Sequence, residues 1–84
     1  MSDEVRTDEE KAQMYSAMKD GANVITSVLD ADNEFYNDMT NAEKKAKVMR
    51  SAGYLEFGVA LKDWGSEDFT AINSAIAAAK SYSA

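Results

Sequence analysis

The residues closest to recognisable chemistry are four acids. Asp30, Asp32, Glu34 and Asp38 fall at the first, third, fifth and ninth positions of a stretch that superficially echoes a calcium loop. Such a loop needs glycine at its sixth position for the sharp turn and a bidentate glutamate at its twelfth. Those places hold Phe35 and Asn41. The expectation is therefore a solvated acidic loop and no metal site. What distinguishes this loop is that Phe35, Tyr36 and Met39 stand among its acids. Aromatics concentrate binding energy once desolvated, so Phe35 and Tyr36 with Asp32, Glu34 and Asp38 form a candidate partner-binding site. The competing reading is that one or both rings tuck under the loop and close a small core.

A second group is basic. Lys44, Lys45, Lys47 and Arg50 cluster just after a helix start, where the helix dipole disfavours cations. Something should compensate. Pairing with acids of the first forty residues is the favoured answer, and a binding patch for an acidic partner is the sharper one. Residues 1–40 hold ten acids and three bases, whereas 41–84 hold five acids and six bases.

Other chemistry is excluded by what is missing. The chain has no histidine, cysteine or proline. That removes thiolate and imidazole nucleophiles, disulfides, thiolate zinc sites and histidine-held haem. Carboxylates, lysine or tyrosine could still catalyse, but only inside a pocket, and 84 residues with few large side chains can hardly enclose one. No enzyme activity and no cofactor are expected. A pI near 4.4 argues against direct nucleic-acid binding, since phosphates favour basic faces. The same acids could instead imitate phosphates, although interleaved lysines dilute the charge.

These candidates must be positioned by a lean fold. Of 38 apolar residues 14 are alanine, and Leu, Ile, Val and Phe together number only 14. With a net charge of −6, a thinly cored but ordered single domain over 1–84 is expected, with 1–6 mobile. The polar, acidic start predicts no signal peptide, and the longest apolar run, the five residues Ala75–Ala79, is far too short to span a membrane. A cytoplasmic location follows, the host cytoplasm if the protein is phage-encoded.

Three helices are predicted, about 8–30, 41–64 and 67–82, making a small all-α three-helix bundle. Thr7-Asp8-Glu9-Glu10 and Thr40-Asn41-Ala42-Glu43 read as capping boxes. Met14, Met18, Gly21, Ile25, Val28 and Leu29 recur at helical steps along the first helix, where Gly21 could admit a close neighbour. On the second, Ala42, Ala46, Met49, Gly53, Phe57, Ala60 and Trp64 share one face, beside a strip of Val48, Ala52, Leu55 and Val59. Trp64, Tyr54, Met14, Met18 and Met49 are assigned to packing. An apolar arc this wide requires partners on two sides. Residues 54–61 also alternate at period two, so a strand is the alternative there, but a lone strand would need another copy of the protein to pair with. Gly65 and Ser66 should end the second helix and cap the third. The third then buries Phe69, Ile72, Ala75, Ile76 and Ala79, with Tyr82 at its edge.

The expectation is a non-catalytic protein-binding module, a small regulator or inhibitor of the kind bacteria and their phages encode. The alternatives are an assembly subunit self-associating through the second helix, and an acidic DNA mimic.

Overall fold

The computed structural model describes residues 6–61, 64 and 67–84. Three helices form: α1 (Asp8–Leu29), α2 (Asn41–Val59) and α3 (Thr70–Ser83), with a single 3-10 turn at Glu34–Tyr36 between the first two. All three pack against one another, giving a small three-helix bundle. Among the described residues there is no strand, and 54–59 lies within α2.

Both capping boxes are present. The Glu10 amide donates to Thr7 Oγ1 at 3.0 Å, and Glu10 Oε1 accepts from the Thr7 amide at 2.8 Å. Thr40 and Glu43 repeat this at 3.1 and 2.7 Å. Each box satisfies two of the amides that a helix start leaves without partners.

The core is built from Met18, Ile25 and Val28 of α1, Val48 and Leu55 of α2, and Ile72 of α3, all fully buried, with Ala22, Ala52, Ala75 and Ala79 between them. Small residues set how closely α1 and α2 approach. A Cβ on Gly21 would lie 3.3 Å from Leu55 Cδ2, and one on Gly58 would lie 2.8 Å from Met18 Sδ. The two helices are thus antiparallel, with a leucine seated over one glycine and a methionine over the other.

The second helix departs from expectation in two respects. Its buried strip is Val48, Ala52, Leu55 and Gly58, while Met49, Tyr54 and Phe57, expected in the core, are 39%, 49% and 70% exposed. The inward strip is the one that fits α1 closely, with Leu55 over Gly21 and Met18 over Gly58, so shape complementarity and not total apolar area decides the inward face. The helix also ends at Val59 instead of about Trp64. Trp64 does belong to the core, but by folding back: its Nε1 donates to the Gly58 carbonyl at 2.7 Å. The indole is a second donor to this carbonyl at the helix end, which also accepts from the Leu61 amide at 3.2 Å.

The third helix starts later than expected, at Thr70. Ser66, expected as its cap, and Gly65 lie outside the described residues. Asp68 takes the capping part, accepting from the Thr70 amide at 3.0 Å. This holds its carboxyl below the usual carboxylate range, with Lys19 contributing a smaller pull in the same direction. Tyr15 fastens the same segment by donating its hydroxyl to the Asp68 carbonyl. The rings of Tyr15, Trp64 and Phe69 meet edge to face with centroids 5.3–6.4 Å apart. Arg6, expected to be mobile, lies 4.4 Å from the indole centroid and completes this end of the bundle. The rest of the segment expected to be mobile, residues 1–5, lies outside the described residues. At the far end Tyr82 donates to Asn41 Oδ1 at 3.1 Å, tying the last turn of α3 to the first of α2.

Candidate interaction site

The connection between α1 and α2 is short and heavily pinned. Asp30 Oδ1 accepts from the Asp32 amide at 2.9 Å, and Asn33 Oδ1 accepts from the Phe35 amide at 3.0 Å. Backbone bonds from Asn33 to Asp30, Tyr36 to Asn33 and Met39 to Tyr36 carry the turn through to Thr40. These are the local side-chain-to-backbone bonds that Asp and Asn make in preference to continuing a helix. Two residues of the calcium-like stretch thus serve the backbone. Among the described residues no group of three or more His, Cys, Asp or Glu is arranged to hold a metal ion.

The two aromatics divide the roles proposed for them. Tyr36 turns inward and packs against the core, whereas Phe35 is 83% exposed, the most exposed large apolar side chain among the described residues. Their rings meet edge to face at 5.0 Å, so the half-buried tyrosine props the exposed phenylalanine. Asp32, Glu34 and Asp38, within three residues of it in sequence, are all exposed.

The basic residues do not form one patch. Lys44, Lys47 and Arg50 step by three down one side of α2, while Lys45 lies on another. The expected ion pairs with acids of the first forty residues do not form: among the described residues none of these four cations is in a salt bridge. Lys47 instead sits 6.0 Å from the Tyr36 centroid, over the ring that supports Phe35. One member of the basic group therefore joins the acidic–aromatic loop, and Lys44, Lys45 and Arg50 do not.

A second surface lies on the outward side of α2. Ala42, Ala46, Met49, Gly53 and Phe57 form a continuous exposed stripe, and nothing lies within 4 Å of a Cβ built on Gly53. The stripe is the face expected to be buried, turned to solvent because the neighbouring strip took the core. Its residue pattern was legible, but its orientation depended on the competition between two apolar strips on one helix.

Where α2 and α3 meet, an open hollow of about 280 Å³ is lined by Glu56, Val59, Ala60, Asn73 and Ile76. Glu56 is engaged there in an ion pair with Lys80 at 2.5 Å. The hollow is shallow, with one carboxylate and one amide as its polar side chains. No helix among the described residues is long and apolar enough to cross a membrane. No protein-family model matches this sequence, and no curated protein or solved structure matches it either.

Proposed function

We propose that this protein is a non-catalytic binding module, a cytoplasmic regulator or inhibitor that docks a partner protein through the loop carrying Phe35. The observation supporting this reading is a phenylalanine 83% exposed on a loop whose backbone is otherwise tied down. Rigidity matters because an already ordered loop loses little conformational entropy on binding. Desolvating the ring against a partner contributes about 1.5–3 kcal/mol. Asp32, Glu34 and Asp38 are exposed on the same loop and give it negative charge, so the fitting partner carries an apolar pocket rimmed by lysine or arginine. Charge at such a rim speeds and orients encounter more than it tightens the complex.

The test is capture of cellular proteins by the wild type and by Phe35→Ala, followed by measurement of affinity for whatever is captured. Tyr36 is unsuitable as the probe because it packs on the core. A partner bound at least about tenfold more weakly by Phe35→Ala, with unchanged thermal stability of the variant, supports the reading. A partner that binds both proteins equally overturns it.

A further inference from the structure

We propose that the outward stripe of α2 is a self-complementary surface on which a second copy of this chain docks its own α2 in antiparallel orientation. The stripe recurs at steps of three and four, the spacing of a helix-to-helix seam. Its profile alternates large and small: Ala42 and Ala46 at one end, Met49 and Gly53 at the middle, Phe57 at the other.

An antiparallel two-fold axis between Met49 and Gly53 places each residue of the stripe opposite its complement. Met49 of each copy then faces the open space over Gly53 of the other, and Phe57 lies over Ala42 and Ala46. Under such an axis each flank of a helix meets the same flank of its mate. Lys45 and Glu56 share one flank, eleven residues apart and on either side of the axis. Each exposed Lys45 is thereby brought beside Glu56 of the second copy, where Lys80 already neutralises part of that carboxylate's charge. On the opposite flank Arg50 comes beside the exposed Tyr54 ring of the second copy, a cation over an aromatic face, and also approaches that copy's Arg50, a like-charge contact that weakens the pair. A parallel pairing would set Phe57 against Phe57 and Gly53 against Gly53, and it would leave the space over Gly53 empty.

The seam involves the five stripe residues with Lys45, Arg50, Tyr54 and Glu56 beside them, far fewer than the ~20–30 residues a side of a standard interface, so the dimer is weak and exchanges. A weak dimer of this kind is sought between micromolar and millimolar protein.

Sedimentation equilibrium from ~10 μM to ~1 mM protein spans that range. A monomer–dimer equilibrium that Phe57→Asp and Gly53→Glu each weaken at least about tenfold supports the proposal. Both positions face solvent in the single chain, so melting temperatures at low concentration should remain within a few degrees of wild type. A chain that stays monomeric throughout overturns the proposal, as does a dimer indifferent to both substitutions. Orientation is read separately by disulfide formation, which the absence of native cysteine makes clean. Mixed Met49→Cys and Gly53→Cys chains should cross-link faster than Ala42→Cys chains cross-link with themselves. The reverse order means a parallel pair and overturns the arrangement. These variants leave the Phe35 loop untouched, so their failure and that of the loop's docking role are distinguishable.

Discussion

Three glycines of α1 and α2 sit in different surroundings, and their substitutions separate conformational cost from packing cost. A helical glycine gives up about 1 kcal/mol relative to alanine. At Gly53 nothing obstructs the added methyl, so Gly53→Ala should raise unfolding free energy by about 0.5–1 kcal/mol. At Gly58 the same methyl would meet Met18 Cε and Sδ at 2.8 Å, and Met18 is fully buried with little room to move. The gain in helix propensity is there offset by overpacking, which costs about 1–3 kcal/mol. Urea denaturation should therefore rank Gly53→Ala above wild type and Gly58→Ala below Gly53→Ala by at least about 1 kcal/mol. Equal stabilisation of the two would mean that the α1–α2 contact is looser than the described geometry.

Asp68 is the other residue whose surroundings make a distinct forecast. Its folded carboxyl is held below the ordinary range, first by the Thr70 amide, so the folded state prefers the ionised form more than the unfolded chain does. The stabilisation this confers is complete above the unfolded carboxylate pKa and is lost as pH falls through the lower folded value. In Asp68→Asn a capping oxygen remains but the titration is gone. Acid-range stability curves should consequently be shallower for the variant. A curve superimposable on wild type would remove Asp68 from the account.

At the level of the helices, the starts of α1 and α2 were the most legible features, and the end of α2 and the start of α3 the least. A capping box is a four-residue code whose partners are neighbours in sequence, so Thr7–Glu10 and Thr40–Glu43 could be read directly. Replacing either threonine by alanine should cost about 1 kcal/mol in chemical denaturation. Because Thr7 and Thr40 begin different helices, the double variant should lose the sum of the two single effects. The end of α2 is marked by the return of Trp64, six residues on, to the Gly58 carbonyl, a tertiary fold-back that no capping code announces. The inward face of α2 was ambiguous for a related reason: two apolar strips fit the helical period, and only α1 and α3 decide between them. The same holds in the acidic loop. Its composition marked Phe35 and Tyr36 equally, and the core admitted only the tyrosine.

For the molecule as a whole, the scarcity of large apolar residues means stability is concentrated in few side chains. Trp64 is foremost, since it closes α2, meets Tyr15 and Phe69, and receives Arg6 on its face. Truncation of a buried tryptophan costs about 3–5 kcal/mol. Small domains often have little more than that in total, so Trp64→Ala should be largely unfolded at room temperature by circular dichroism. Trp64→Phe keeps most of the apolar area but leaves the Gly58 carbonyl without its indole donor. It should fold with a lowered melting temperature, separating the hydrogen bond from the packing.

The same indole is the only tryptophan in the chain. The molecule therefore carries one strong intrinsic emitter, placed where three segments converge and remote in sequence from Phe35. Its emission should be blue-shifted in the folded protein and move to the red only when that junction opens. A ligand docking on Phe35 would leave the colour of the light unchanged, while any event that released the first or third helix would alter it. A single fluorophore thus reports the integrity of the bundle and is silent about occupancy of its tip, so folding and recognition have separate optical signatures.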